Sequence, residues 1–193
     1  MHQQLISYIN SHNTLPLTSE EEELVKTAFQ PKKIRRKQYF LQEGDVCKYS
    51  AFIVKGAMRQ YSVDEKGVEH VVHIFVENYW ASDRESMIML TPSVFNIDAW
   101  EDTEMLIITR AEMLSLMSKI PALVEMIRLM DERNAIANQR RLNSTISSTA
   151  ERRYEEFASN HPQFIQRFPQ HLIASFLGIT KETLSRIRKQ SVK

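Results

Sequence analysis

Residues 170–189, QHLIASFLGITKETLSRIRK, constrain the chain most, because they fit two short helices joined by a tight turn. Apolar side chains fall at Ile173, Leu177, Ile179, Leu184 and Ile187, and Ala174 is small where a second helix must cross closely. Gly178 is the only glycine after Gly67, and it stands where the chain must turn with a positive φ. Thr180 is of the residue type that caps the helix after it. That helix shows Lys181, Glu182, Ser185, Arg186 and Lys189 on the side opposite Leu184 and Ile187. An apolar seam that fixes a helix to the body, with a mostly basic face left free, suits entry into a DNA major groove. An ordinary αα-hairpin would share the glycine turn, so charge has to separate the two. Residues 171–193 hold five Lys or Arg (Lys181, Arg186, Arg188, Lys189 and Lys193) against one acid, Glu182. The expected DNA contacts are therefore Thr180, Lys181, Glu182, Ser185, Arg186 and Lys189.

The remainder of the composition narrows the class. A chain of 193 residues holds one large domain or two small ones. The formal net charge is only +1, so the C-terminal surplus is local and not part of a generally basic coat for nucleic acid. A single cysteine, Cys47, excludes an intramolecular disulfide and speaks against an iron–sulfur cluster. With no paired base in sequence, it reads as a small buried hydrophobe. No apolar run approaches the roughly 18 residues of a membrane span, and the N-terminus lacks a signal-peptide core. The expectation is a soluble, cytoplasmic protein with no membrane partner.

The chain opens as helix, with Leu5, Ile6 and Ile9 in one stripe. Ser19 and Glu22 fit a capping box for a second helix through about Phe29, which Pro31 then stops. From about residue 34 to 108 the period becomes two. YFLQEGDVC (39–47) is a strand entering a turn, and SAFIVKGAMRQY (50–61) is two strands meeting at Lys55-Gly56. VEHVVHIF (68–75), VFNIDAW (94–100) and EMLIIT (104–109) follow, with a short helix expected between Phe75 and Val94. Short strands with acid- and glycine-rich turns predict an antiparallel barrel or roll. Thr109 and Glu112 cap another helix, and Pro121 opens a long one to about Ser147. Its steps of three and four through Leu123, Ile127, Met130, Asn134 and Ala137 suit a coiled dimer seam. A helix over 148–159 follows, and residues 161–169 are expected to form a hairpin or loop.

This order resembles the Crp/Fnr family of bacterial transcription regulators, most specifically in GITKETLSR (178–186) and in the glycine turns of LQEGDVC and IVKGAMRQY. The resemblance implies an α+β chain: an N-terminal antiparallel β-roll of the cyclic-nucleotide-binding jelly-roll type with flanking helices, a long dimerisation helix, and a C-terminal winged-helix or helix-turn-helix domain. The expected divisions are 1–117, 118–147 and 148–193. It implies that Glu182 and Arg186 read bases, while Lys181 departs from the commoner arginine. It also implies a homodimer on palindromic double-stranded DNA, RNA polymerase as a partner, and no enzymatic turnover.

Members that bind cyclic AMP carry a Gly-Glu pair and an Arg-Ser/Thr-Ala stretch in the roll. Here those positions align with Ser82-Asp83 and Pro92-Ser93-Val94, with Arg84 nearby. A phosphate wants a fork of donors and free backbone N–H groups, and proline supplies neither. The pocket of Ser82, Asp83, Arg84, Pro92 and Ser93 therefore reads as degenerate, control by cyclic AMP is not expected, and no cofactor or effector is named.

Two other readings compete. An effector-binding roll acting through protein partners predicts an acidic or apolar last helix. A cupin-like metalloenzyme would draw on His70, His73 and Glu77, yet strand parity sends two residues three apart to opposite faces. No metal site is expected.

Overall fold

The computed structural model describes residues 1–190, and Lys193 lies outside them. Helix α1 (His2–Ser11) buries Leu5, Ile6 and Ile9 completely. Helix α2 (Ser19–Ala28) starts one residue earlier than its expected cap. Thr18 Oγ1 accepts the Glu21 N–H, and the Glu21 carboxylate accepts the Thr18 N–H. The sequence offers two overlapping Ser/Thr-x-x-Glu pairs, and the fold uses Thr18 with Glu21. Nor does Pro31 end this helix: it lies inside strand β1 (Gln30–Ile34), at a sheet edge, where a missing N–H is tolerated.

The strands that follow are β2 (Tyr39–Leu41), β3 (Tyr49–Lys55), β4 (Met58–Val63), β5 (Glu69–Phe75) and the short β6 (Trp80–Ala81). After helix α3 (Arg84–Met89) come β7 (Asn96–Ala99) and β8 (Thr103–Thr109). They form two four-stranded sheets, in the orders β1-β8-β3-β6 and β2-β7-β4-β5, antiparallel at each pairing described. Gly56 makes the β3–β4 corner feasible. Its φ is +100°, and a Cβ there would stand 2.5 Å from the Asp102 carbonyl oxygen.

Strand parity divides the apolar residues between two cores. Ala51, Ile53, Met105 and Ile107 point into the roll with Met58, Phe75, Ile97 and Ala99. Their neighbours Phe52, Leu106 and Ile108 face the other way, onto α1, α2 and the helices after β8. The central strands β3 and β8 are thus covered on both faces, and so read as continuous apolar runs.

Helix α4 (Arg110–Met117) starts at the expected Thr109–Glu112 capping box. Helix α5 (Pro121–Ser147) matches the expected long helix, but its first half is committed elsewhere. Leu123 has no exposed surface, and Ile127 and Met130 pack on the same core. Leu123 therefore serves the protomer's own interior, while Ile127 and Met130 are half-buried against it. Asn134 and Ala137 are exposed.

Helices α6 (Ala150–Asn160), α7 (Pro162–Arg167), α8 (Gln170–Leu177) and α9 (Lys181–Gln190) complete a C-terminal helical bundle. Residues 162–167 are helix, not hairpin, because Phe164 docks on Phe157, stacks on His161 and carries Phe168 against its own ring. No strand falls between 148 and 190, so a wing has no counterpart among the described residues. The chain divides into two compact units: residues 1–63 with 72–131, and residues 64–71 with 132 onward.

Candidate functional site

Helix α8 ends in a Schellman motif. Gly178 adopts φ +66°, its N–H donates to the Ser175 carbonyl at 3.0 Å, and the Ile179 N–H donates to the Ala174 carbonyl at 3.0 Å. A Cβ on Gly178 would meet only Arg153 at an ordinary 3.6 Å, so the backbone angle, not space, demands glycine. Two residues on, Thr180 Oγ1 accepts the Thr183 N–H at 3.1 Å and caps α9. One helix is stopped and the next started within three residues, which sets the tight turn.

Leu184 and Ile187 are fully buried, beside Leu172, Ile173 and Ala174 of α8. The outward side of α9 brings Lys181, Glu182, Ser185, Arg186 and Lys189 together with Gln190 along one shallow surface depression. Thr180 is exposed at its N-terminal end. Every expected DNA-contact residue is therefore on one accessible side.

Three attachments of this unit had no signal in the sequence. Arg186 faces Glu151 of α6 at 3.9 Å, a loose ion pair with both side chains solvated. Ser175 accepts the Val71 N–H at 2.9 Å and donates to the Glu69 carbonyl at 3.1 Å, covering two backbone groups of edge strand β5. The Arg141 guanidinium lies 4.7 Å over the Phe176 ring, and burial pulls its pKa below the usual arginine value. All three join residues far apart in sequence.

The expected effector residues cluster differently. Asp83 caps α3, its carboxylate accepting the Ser86 N–H at 3.3 Å and the Ser93 hydroxyl at 2.6 Å. Ser86 in turn donates to the Thr91 carbonyl and accepts the Cys47 N–H. Asp83, Ser86 and Ser93 are all buried, so this interior is a closed polar network. Arg84 and Pro92 are exposed. Arg84 pairs with Asp131 of α5, which holds its pKa above the usual arginine value, and it does not pair with its neighbours Asp83 or Glu85. Pro92 forms an isolated bridge with Val46.

The remaining candidates are occupied singly. His70 Nε2 meets Asp64 at 2.9 Å, His73 stacks on Phe75, and Glu77 accepts the Gly56 N–H at 2.8 Å. Cys47 is buried, and desolvation pushes its thiol pKa up, away from the reactive thiolate. Among the described residues no cluster of three His, Cys, Asp or Glu side chains is placed to hold a metal ion, and no helix is long and apolar enough to cross a membrane.

Residues 31–120 match the family model of the cyclic nucleotide-binding domain. No curated protein sequence matches the chain. Among solved structures it is similar to FixK2 from Bradyrhizobium japonicum, at 16% identity and a TM-score of 0.73, covering 84% of this chain and 83% of that one. It is also similar to the c-di-GMP-responsive global regulator CLP of Xanthomonas campestris, at 11% identity and a TM-score of 0.69, covering 90% and 91%. A CooA mutant from Carboxydothermus hydrogenoformans gives 18% identity and a TM-score of 0.65, covering 86% and 77%. Identities this low speak for the fold. The fold is a β-roll, matched over residues 31–120 by the cyclic nucleotide-binding domain model, followed by a helical bundle, an architecture of the Crp/Fnr type.

Proposed function

We propose that this chain is a sequence-specific DNA-binding transcription regulator, acting as a homodimer on a two-fold site and not controlled by cyclic AMP. One observation carries the reading. Helix α9 buries Leu184 and Ile187 and turns Lys181, Glu182, Ser185, Arg186 and Lys189 to solvent as a single face. Arg186 and Glu182 read base edges, and Lys181 and Lys189 meet phosphates. Capture of genomic fragments by the purified protein, followed by motif extraction, tests this directly. A two-fold motif recovered by the wild type and lost with Arg186→Ala supports it; fragments without a shared motif overturn it.

A single helix-turn-helix makes few contacts, and a two-fold dimer reads two half-sites about 34 Å apart. The candidate seam shifts from Leu123, Ile127 and Met130 to the exposed apolar residues Ile136, Leu142 and Ile146 in the second half of α5. Leu142 and Ile146, four apart, share one face of the helix. RNA polymerase is the partner that a regulator of this kind addresses.

The closed network around Asp83 supports independence from cyclic AMP. A cyclic phosphate would meet Pro92 in place of an arginine, and would have to break the bonds of Asp83 to Ser93 and Ser86 to enter. The chemistry of this reading is binding, not turnover.

A further inference from the structure

Helix α3 ends in an apolar surface. Residues 86–97 hold no charged side chain, in a sequence that is 25% charged. Ile88, Met89 and Leu90 stand exposed in a row, and Pro92 and Val94 follow them to the surface. Met89 is 66% exposed and Leu90 70%. Apolar residues scattered singly over a surface need no explanation, but a run of neighbours does.

This run is also held in place. The Ser86 hydroxyl donates to the Thr91 carbonyl at 2.6 Å. The Ser93 N–H donates to the Asp45 carbonyl, and the Gly44 N–H to the Ser93 carbonyl, each at 2.8 Å. Between these anchors Leu90 adopts φ +55° and ψ +34°, a left-handed conformation that leucine rarely takes. Glycine would make the same turn without strain. It would also give up little packing in the protomer, because the Leu90 side chain lies mostly in solvent. A use outside the protomer accounts for leucine in that place.

Area names the occupant. The seam proposed on α5 offers Ile136, Leu142 and Ile146. Fully covered, these three remove roughly 400 Å² per protomer, about half of the roughly 800 Å² that a stable pair buries on each side. Ile88, Met89, Leu90 and Val94 offer roughly 500 Å² more, enough to close the gap. Composition agrees. Interfaces between permanent copies are the more apolar kind, whereas contacts made and broken with other proteins are about as polar as any surface.

We propose that Ile88, Met89, Leu90, Pro92 and Val94 dock on a second copy of this chain, so that the β-roll as well as the long helix contributes to the dimer. The inference deepens the homodimer reading and rests on it. A two-fold pair makes every such contact twice, so a single substitution is read doubly in the dissociation constant.

Sedimentation equilibrium of the full chain, from nanomolar to micromolar concentration, tests this. Met89→Asp should raise the dimer dissociation constant about tenfold or more, since it sets a charge in a surface that must lose its water. Leu90→Gly guards against a folding defect. Melted at concentrations where the protomer stands alone, it should be as stable as the wild type or more so, because the strained angle is relieved. Its dimer should nevertheless be several-fold weaker, because the side chain is gone. A patch that served only its own protomer would give the reverse, a less stable protomer with an unchanged dimer, and that result overturns the proposal. Dimers as tight as the wild type's in both variants overturn it too, and point to a different protein as the occupant. A wild type that stays monomeric, with and without DNA, overturns the homodimer reading itself, and this inference with it.

Discussion

Ser93 donates its hydroxyl proton to Asp83 Oδ2 at 2.6 Å, with both side chains buried. The bond ties the N-cap of α3 to the segment after it and closes the part of the roll where a phosphate would need donors. Asp83→Ala strands the Ser93 hydroxyl and the Ser86 N–H together. It should cost about 1–3 kcal/mol in denaturant unfolding, the usual penalty for a buried polar group left unpaired. A cost near zero would mean that water replaces the carboxylate and the network is not closed.

Millimolar cyclic AMP or cyclic GMP should change neither the melting temperature nor the DNA affinity of the wild type. A ligand that bound the folded state with a micromolar Kd would raise stability by roughly 4 kcal/mol at a thousand-fold excess, so a thermal scan cannot miss it. Calorimetric titration giving a micromolar Kd for either nucleotide would overturn the expectation. If Arg84→Ala then abolished that binding, Arg84 would have exchanged Asp131 for the phosphate.

Much of this was legible before any coordinates. Six of the eight strands announce themselves as short β-branched and aromatic runs between turns, β1 and β6 do not, and Gly56 and Gly178 show by the turns they must make. What escaped depended on partners distant in sequence. Helix α7 is short and weakly patterned, and its residues turn helical because Phe164 has Phe157 to dock against and Phe168 packs on Phe164. The apolar steps of α5 are genuine, but periodicity cannot say whether the partner is a second copy or the chain's own core. Leu123 went to the core. Glu151 beside Arg186, and Ser175 beside Val71, are tertiary contacts with no local spacing to betray them.

Gly56→Ala and Gly44→Ala separate the cost of backbone angle from that of space. Both glycines have positive φ, +100° and +89°, but a Cβ at Gly44 meets nothing within 4 Å, whereas at Gly56 it meets the Asp102 carbonyl oxygen at 2.5 Å. Gly44→Ala should lose about 1–2 kcal/mol from the angle alone. Gly56→Ala should lose clearly more, or fail to fold. Equal losses in urea melts would show that the β3–β4 corner relaxes freely.

Leu123→Ala and Ile136→Asp distinguish the protomer's core from the proposed seam. Leu123 is fully buried, so its truncation should cost about 2–5 kcal/mol of stability. Ile136 is 49% exposed within the protomer, so a charge there should leave the protomer folded yet weaken self-association. Sedimentation at micromolar concentration reads this as a shift toward monomer. A dimer unaffected by Ile136→Asp, or a wild type that is monomeric with and without DNA, would sink the seam.

The last prediction divides labour along α9. Arg186→Ala should cost about 1–3 kcal/mol on the target site and relax preference at one base position, since a guanidinium reads guanine through two hydrogen bonds. Glu182→Ala should change preference more than total affinity, because a carboxylate accepts from a cytosine amino group but repels phosphates. Lys189→Ala should weaken target and random DNA alike and reduce the salt gradient by roughly one unit. Glu151 adds a control that acts through Arg186. At 3.9 Å it attracts the guanidinium without gripping it, so Glu151→Gln should leave stability nearly unchanged, as solvated ion pairs contribute little. It should also raise affinity for the target site more than for random duplex, because the freed Arg186 is a base reader. Binding isotherms on matched and single-mismatch duplexes decide the matter. If Arg186→Ala and Lys189→Ala prove indistinguishable on them, α9 carries charge to the DNA but does not read it.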